Sequence, residues 1–206
     1  MTKRRLKIGI DFDNTMIDYN DVFFELGRER GWIPEELLHS KESVKKFLVE
    51  TDGDDLRWQR LQADAYGQGI LRARVFSGFM EFLSQVSQSG HDVIVISHKT
   101  ETSNLDRVTP LREWARRWLE QSGIAHKVSK VYFESTLEDK IGRIIQAGCH
   151  VFVDDLMHVL CQPSFPPEVK KIWFANSGET DERTESFSIV RTEKWTEIAQ
   201  EIGKYA

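Results

Sequence analysis

The sequence predicts an α/β fold: a doubly wound parallel sheet with helices on both faces and an inserted all-helical segment. Short apolar runs of strand length alternate with amphipathic helical segments, which is the pattern of a parallel sheet. The segment at 91–97 contains a continuous apolar run, VIVI, as expected for a strand buried on both faces. The span between Thr15 and Val93 is far longer than one connecting helix needs, so an insertion is expected there.

Six apolar segments are predicted to form the sheet. Each has the length of an ordinary strand and is bounded by polar or turn-forming residues. The last of them is expected at an edge. In chain order the segments are 6–10, 91–97, 128–134, 150–155, 171–176 and 186–191.

The segment 109–123 has the residues of both a helix start and a helix end. Thr109 is expected to cap it, Pro110 suits its first turn, and Gly123 suits its end. The segment 136–148 is similar, because acidic residues in its first turn complement the helix dipole. Two further helices are expected at 78–88 and 192–204.

The insertion has a helical pattern throughout. Helices are expected at 21–30, at about 41–50 and at about 54–66, with a turn at Asp52, Gly53 and Asp54. The predicted organisation is therefore a core that carries the sheet, formed by 1–17 and 78–206, and a helical insertion formed by 18–77.

Composition limits the classes of function. With 40% hydrophobic and 30% charged residues, the 206-residue chain can build a sizeable core, and its net charge of −5 argues against binding a nucleic-acid polymer through bulk charge. No apolar stretch approaches the roughly 18 residues of a membrane span. The basic start Lys3–Arg5 precedes no apolar run longer than a strand, so no signal peptide is expected. Cys149 and Cys161 have neither metal-type nor disulfide-type spacing and are expected to be buried and inert, so we expect a cytoplasmic protein.

Charged and polar side chains follow three of the predicted strands at their carboxyl ends, where doubly wound sheets bind ligands. Four carboxylates gathered there would repel one another, by about 4 kcal/mol for two charges about 4 Å apart at an effective dielectric near 20. A hard cation, Mg²⁺, suits such an oxygen-rich site, and Mg²⁺ commonly bridges to phosphate. Either acidic pair alone, Asp11 with Asp13 or Asp154 with Asp155, is typical of a turn or a helix cap. The occurrence of both pairs at strand ends is what indicates a metal site. The residues that follow the strands are Asp11, Asp13, Ser97, Asp154 and Asp155. Lys140, in the first turn of the helix before the fourth strand, can reach the same edge.

Four short motifs, in this order, resemble those of the haloacid dehalogenase-like (HAD) superfamily of phosphohydrolases. "DFDNT" at 11–15 matches that family's DxDxT, Ser97 follows the second strand, Lys140 precedes the fourth strand, and "VFVDD" ends at Asp155. The resemblance implies a Rossmann-like core. It also implies that the insertion is a cap domain, which would close over the site and exclude water.

The resemblance also implies a role for each site residue. Asp11 would be the nucleophile that forms an aspartyl-phosphate, and Asp13 would be the general acid and then the general base. Ser97 would hydrogen-bond the phosphoryl group, and Lys140 would neutralise its charge and that of Asp11. The metal would contact Asp11, the backbone carbonyl of Asp13 and Asp155, with Asp154 bound directly or through a water.

Several residues have an alternative reading. Lys99 lies two residues beyond Ser97 and is a rival for the role of Lys140. His98 could contact a substrate or be an ordinary loop histidine. Arg72 and Arg74 could reach a substrate from the insertion or lie on a solvated helix face.

The expected function is hydrolysis of a small phosphomonoester, either a sugar phosphate or a nucleoside monophosphate, with Mg²⁺ as cofactor. A phosphotransferase such as a phosphosugar mutase remains an alternative, because its first half-reaction is the same. A non-catalytic phosphate-binding scaffold of the same fold is the alternative from another class. The expected partner is thus a small molecule, and neither a nucleic-acid polymer nor a membrane.

Overall fold

The structure is a computed structural model that describes residues 5–53 and 55–205. Lys3 and Arg4 of the basic start, and Asp54 of the turn predicted in the insertion, lie outside the described residues. Among the residues described, no helix is both long enough and apolar enough to cross a membrane.

The main sheet has six strands in the order β5-β4-β1-β6-β7-β8, and all neighbouring strands are parallel. This confirms the predicted doubly wound α/β fold, including the edge position of the last strand. The strands are β1 (Lys7–Ile10), β4 (Asp92–His98), β5 (Lys130–Glu134), β6 (Val151–Asp154), β7 (Lys170–Phe174) and β8 (Ile189–Thr192). Two-residue strands, β2 (Ile17–Asp18) and β3 (Arg74–Val75), form a separate sheet.

The first strand runs through the middle of the sheet, because it pairs with β4 on one side and with β6 on the other. Its Ile8 is in register with Val93 and with Val151. Gly9 allows a close approach at this point: a Cβ there would lie 2.5 Å from the ring of Phe152. The carboxyl ends of β1 and β6 are therefore neighbours, which places the residues after them side by side.

Nine helices are described. Their bounds are α1 (Asn20–Glu29), α2 (Lys41–Asp52), α3 (Leu56–Tyr66), α4 (Phe79–Gln88), α5 (Leu111–Gln121), α6 (Leu137–Ala147), α7 (Met157–Leu160), α8 (Arg183–Ser186) and α9 (Trp195–Gly203). Short 3₁₀ helices lie at Gln68–Arg72 and Ile124–His126. The prediction that Thr109 caps α5 is wrong: Pro110 is the N-cap residue, and the Thr109 hydroxyl donates to Asp106 instead.

Apolar side chains cover the main sheet in two clusters. In one, Ile94 and Ile96 of β4 pack with Ile141 and Ile144 of α6. In the other, the fully buried Trp195 of α9 packs against aromatic rings of α4, with ring centroids 4.6 Å from Phe79 and 4.8 Å from Phe82. Helices α4 and α6 each pack on β4, as the alternation of strands and helices predicted.

The chain forms two compact units. Within the described residues, the first comprises 5–16, 75–99 and 124–205 and contains the six-stranded sheet. The second comprises 17–74 and 100–123. It therefore contains α5 together with the helices of the predicted insertion.

The second unit has its own core of aromatic side chains. Phe23 of α1 stacks on Trp58 of α3 with ring centroids 4.9 Å apart, and the edge of Tyr66 meets Tyr19 at the same distance. Trp118 of α5 belongs to the same unit, where its indole Nε1 donates to the backbone carbonyl of Ala73. The helical pattern predicted at 21–30, 41–50 and 54–66 is thus confirmed in α1, α2 and α3.

Candidate functional site

The site begins where two central strands end. Asp11 follows β1 and Asp154 is the last residue of β6; the two strands are held in register by the Asp11 backbone N–H, which donates to Val153 O at 2.9 Å. Both aspartates are buried, with Asp11 4% and Asp154 0% exposed. A carboxylate buried this deeply requires a charged or hydrogen-bonding partner.

Lys140 is that partner. Its Nζ donates to Asp11 Oδ1 and to Asp154 Oδ2, at 2.6 Å in each case, and the lysine is 1% exposed. It lies in the first turn of α6, where the N-cap Thr136 accepts from the backbone N–H of Asp139. Because α6 packs against β4 and β5, this turn brings the amine to the same edge of the sheet.

The three charged groups of this buried cluster influence one another's ionisation. Burial, reinforced by Asp154 and Asp13, raises the pKa of Asp11 to about 7, although Lys140 acts in the opposite direction. Burial lowers the pKa of Lys140, but Asp11 and Asp154 outweigh it and raise that pKa above its usual value. Lys140 therefore stays a cation, and it is the positive charge between the two carboxylates.

Asp155 completes an acidic cluster. Asp11, Asp154 and Asp155 can each present one carboxylate oxygen such that all three oxygens lie within 4.8 Å of one another. Thr15 holds Asp155 in place: its hydroxyl donates to Asp155 Oδ1 at 3.1 Å and accepts from the Asp155 backbone N–H at 3.2 Å. An all-oxygen set of this kind suits a hard divalent cation such as Mg²⁺.

Asp13 has a different partner from Asp11. Lys99 Nζ donates to both of its carboxylate oxygens, at 2.9 Å and 2.7 Å. Lys99 directly follows β4 and is 4% exposed. The two buried lysines thus divide the acids between them: Lys140 lies beside Asp11 and Lys99 beside Asp13.

The remaining predicted residues lie on β4 or just after it. Ser97 is 1% exposed, is the last residue of β4 but one, and is in register with Phe133 of β5. His98 is exposed, and its Nε2 lies 3.0 Å from the backbone carbonyl of Ser135.

Arg72 and Arg74 belong to the second unit, where each has an acidic partner. Arg72 pairs with Glu29 at 2.6 Å, and Arg74 lies 3.7 Å from Asp21. Asp18 of the same unit accepts from the backbone N–H of Asn20 at 2.9 Å, at the start of α1.

Sequence reasoning missed the side chains that support the loops of the site. Asn176 donates to the backbone carbonyl of Asn14, a residue with a positive φ of 56°. Trp195 Nε1 donates to the carbonyl of Thr15, and Trp173 Nε1 donates to that of Asp155. These bonds join a side chain to a distant main-chain group, so neither spacing nor composition could indicate them. Thr15 was visible within "DFDNT", but its bonds to Asp155 were not.

The chain was compared with known families, curated proteins and solved structures. No family model and no curated protein matches it. Solved structures do match over nearly their whole length. A predicted phosphatase from Clostridium acetobutylicum has a TM-score of 0.65 at 15% identity, covering 97% of this chain and 99% of the other.

Two further structures extend the comparison. A protein described as a dehalogenase has a TM-score of 0.61 at 11% identity, with 96% and 97% coverage. A putative HAD hydrolase from Bacillus subtilis, bound to magnesium, has a TM-score of 0.57 at 10% identity, with 97% and 99% coverage. The chain therefore has the fold of HAD-superfamily hydrolases, as its four motifs predicted.

Proposed function

We propose that this chain is a magnesium-dependent phosphatase that hydrolyses a small phosphomonoester through an aspartyl-phosphate on Asp11. The observation that carries the proposal is the buried group in which Lys140 bridges Asp11 and Asp154. An attacking carboxylate must approach a negatively charged phosphoryl group, and a fixed ammonium beside it lowers that repulsion. The phosphatase and the hydrolase among the structures of this fold support the same function.

In the first half-reaction, a carboxylate oxygen of Asp11 would attack phosphorus in line with the leaving oxygen. The bond between phosphorus and the leaving oxygen breaks as the bond to Asp11 forms. Asp13 would give a proton to the leaving oxygen, so that the products are an alcohol and phosphorylated Asp11. Ser97 would donate a hydrogen bond to an oxygen of the transferring group.

In the second half-reaction, water would attack the same phosphorus atom. Asp13, now ionised, would take a proton from that water as the bond between phosphorus and Asp11 breaks. Inorganic phosphate leaves, and both aspartates return to their initial state. Lys140 would stay beside Asp11 through both steps and offset the charge on the phosphoryl oxygens.

The residues present fit a magnesium ion. We propose that Asp11, Asp154 and Asp155 hold it together with the backbone carbonyl of Asp13, and that Asp154 acts directly or through a water. The proximity of three carboxylate oxygens supports this donor set. When bound, magnesium would offset the negative charge of the phosphoryl group and of the carboxylates around it.

Substrate selection is proposed to belong to the helical insertion, 18–77. In this proposal the insertion is the cap, and it selects the group to which the phosphate is attached. Sugar phosphates and nucleoside monophosphates are the proposed substrates, because the helical insertion resembles the caps of small-molecule phosphatases that act on them. We therefore expect the substrate to be a free small molecule rather than a polymer.

The first test is hydrolysis of p-nitrophenyl phosphate by the full chain with Mg²⁺. Asp11→Asn is expected to abolish turnover, and removal of the metal with a chelator is expected to do the same. Asp92→Asn is the matched control, because Asp92 begins β4, at the other end of the strand from the site. Full activity of Asp11→Asn or of the chelator-treated protein would refute the assignment.

The alternatives give different results in a second test. A panel of phosphorylated sugars and nucleosides is offered together with labelled water. A phosphatase releases phosphate that contains oxygen from the water. A phosphotransferase instead moves the phosphoryl group to a second sugar, whereas a scaffold gives no turnover and at most a long-lived phosphorylated Asp11.

A further inference from the structure

A second buried lysine, Lys99, is paired with Asp13. Its Nζ donates to Asp13 Oδ1 at 2.9 Å and to Oδ2 at 2.7 Å. The side chain of Lys99 is 3% exposed, whereas that of Asp13 is 21% exposed. The enclosed partner of this pair is therefore the amine, and the carboxylate is the one that reaches solvent.

Lys99 is held both at its backbone and at its ammonium. The Lys99 backbone N–H donates to Glu134 O at 2.8 Å, which continues the pairing of β4 with β5 beyond the last residue of β4. The ammonium lies 5.3 Å from the ring centroid of Phe12, which is itself fully buried. Because the main chain of Lys99 is held by the sheet and its ammonium is enclosed against Phe12, we infer that the lysine orients the more exposed carboxylate of Asp13.

Orientation matters for a group that transfers a proton. A general acid must come within about 2.6–3.2 Å of the atom that it protonates. A partly exposed carboxyl group can rotate and hydrate, but the Lys99 ammonium holds the ionised carboxylate by both oxygens. When Asp13 is protonated, the ammonium can keep its bond to the oxygen that carries no proton, so that the O–H is directed away from Lys99. A misplacement of about 1 Å can cost about 10²-fold in rate.

We propose that Lys99 is a positioning residue that orients the Asp13 carboxyl group toward the leaving oxygen. The contribution of Lys99 to kcat/KM should therefore grow with the basicity of the leaving group. This inference rests on the proposed phosphatase function. An alkoxide is strongly basic and needs a proton as it leaves, whereas p-nitrophenolate is a stable anion that departs without one. Lys99 therefore sets the range of esters that the site can cleave.

A competing role for Lys99 is to bind a second anionic group of the substrate. The two roles predict different losses. A positioning residue affects every basic leaving group, charged or neutral. A residue that binds a distal anion affects only substrates that carry one, and its effect is mainly on KM.

The test uses Lys99→Met and a series of phosphomonoesters whose leaving groups carry no second charged group, from p-nitrophenyl through phenyl to alkyl phosphate. The quantity compared is kcat/KM, because it reports the step that breaks the bond to the leaving oxygen and not the later hydrolysis. For Lys99→Met we expect a loss of about 10-fold to 100-fold on alkyl phosphate and of less than about 3-fold on p-nitrophenyl phosphate. Asp13→Asn is expected to show the same trend with a larger loss.

Two measurements distinguish a positioning role of Lys99 from a folding defect in the variant. Methionine has the length of lysine without its charge and can pack on Phe12, and Asp13 can be hydrated, so Lys99→Met is expected to fold. Lys171→Met is the matched control, because Lys171 is a partly buried lysine on β7 whose amine lies over Phe165, and its removal should leave the trend unchanged. Lys99→Ala with added methylamine provides the second measurement, since a small amine in the vacated space should restore turnover of alkyl phosphate.

The outcomes are distinct. An equal loss of kcat/KM on every ester, with no restoration by methylamine, overturns the inference but leaves the phosphatase function standing. A loss confined to alkyl phosphates with an added carboxylate also overturns it, in favour of anion binding. A wild-type protein that cleaves none of the esters, p-nitrophenyl phosphate included, refutes the proposed function and this inference with it.

Discussion

Thr15 and Asp155 hold each other through two hydrogen bonds across 140 residues of sequence. The Thr15 hydroxyl donates to Asp155 Oδ1 at 3.1 Å, and the Asp155 backbone N–H donates to the same hydroxyl at 3.2 Å. Thr15 has no exposed surface. Since Asp155 is one of the three carboxylates that can surround a cation, this hydroxyl fixes the direction of a proposed metal ligand.

Replacing Thr15 with valine should weaken the binding of magnesium while preserving the packing. Valine has the shape of threonine but lacks the hydroxyl, so Asp155 loses both the donor to its carboxylate and the acceptor for its N–H. Supporting groups of this kind typically contribute about 10-fold to 100-fold to metal affinity. We expect a loss of that size in a titration of activity against Mg²⁺.

Thr15→Ser is the control for that variant, because serine keeps the hydroxyl. It should retain an affinity for Mg²⁺ within a few-fold of wild type. Equal affinities for Thr15→Val and wild type would show that Asp155 needs no support from Thr15, or that it does not bind the metal.

Lys140→Met should destabilise the metal-free protein. The substitution leaves Asp11 and Asp154 buried next to each other without their shared cation, and breaking a buried ion pair costs about 3–5 kcal/mol. The free energy of unfolding is measured by urea denaturation in the presence of a chelator. We expect a large loss of stability there and a smaller one with excess Mg²⁺.

The companion variant removes all three charges: Lys140→Met with Asp11→Asn and Asp154→Asn. It should recover much of the lost stability, because no unpaired buried charge remains. A Lys140→Met protein that unfolds at the wild-type urea concentration without metal would contradict the bridging role seen in the structure.

Gly9 should tolerate no side chain, because β1 lies close to the residues that follow α6. A Cβ on Gly9 would lie 2.5 Å from Phe152 Cδ2 and 2.9 Å from Cys149 Sγ, both shorter than real contacts. Overpacking of this kind typically costs about 1–3 kcal/mol. We expect a loss of that order for Gly9→Ala, measured as the free energy of unfolding.

Gly142→Ala is the matched control for the glycine experiment. Gly142 lies within α6 and has open space around its Cα, so alanine should stabilise the protein by up to about 1 kcal/mol. If both glycine variants changed stability by the same amount, the close contact between β1 and Phe152 would be disproved.

The two cysteines should react with thiol reagents at very different rates in the folded protein. Burial raises the pKa of the Cys149 thiol to about 11, so its reactive thiolate is scarce at neutral pH, and the side chain is enclosed. Cys161 is partly exposed, although burial raises its pKa as well. We expect iodoacetamide to label Cys161 first and Cys149 only after denaturation, as read by peptide mass spectrometry.

Cys161→Ser supplies the control for the labelling experiment. The folded variant should take up almost no reagent near pH 8, and more as the pH rises toward the pKa of Cys149. The denatured variant should label fully at Cys149. Rapid labelling of Cys149 in the folded variant would mean that this side of the sheet is open to solvent.

Most of the sheet could be predicted because its strands are short apolar runs with polar ends. The segments at 91–97 and 150–155 correspond to β4 and β6, displaced by no more than one residue at each end. Elements with too few residues to show a period could not be predicted. The two-residue strands β2 and β3 and the four-residue helices α7 and α8 belong to this group.

The acidic cluster could be predicted because parallel strands bring their carboxyl ends to one edge. That rule placed Asp11 next to Asp154 without any knowledge of distance. It could not show which lysine joins which aspartate, because Lys99 and Lys140 both reach that edge. The structure shows that Lys99 pairs with Asp13 and Lys140 with Asp11, and residue spacing does not encode those side-chain contacts.

The N-cap of α5 was predicted wrongly for the same reason, because sequence spacing does not show which partner a side chain takes. Thr109 was expected to cap the helix because threonine before proline is a common start signal. In the structure its hydroxyl and its backbone N–H both donate to Asp106, a residue whose carboxylate organises the preceding turn. The local sequence allows Thr109 to bond either to the first turn of α5 or to Asp106. Only the structure shows that it bonds to Asp106.

The most direct measurement is the identity of the residue that carries phosphate during turnover. The wild-type protein is mixed with p-nitrophenyl phosphate and Mg²⁺, quenched in acid within the first turnovers, digested and analysed by fragmentation mass spectrometry. A phosphoryl group on Asp11, absent from Asp11→Asn and removed by hydroxylamine, is the predicted result. Turnover with the phosphoryl group on another residue, such as Ser97, or with undiminished hydrolysis by Asp11→Asn, would contradict the proposal.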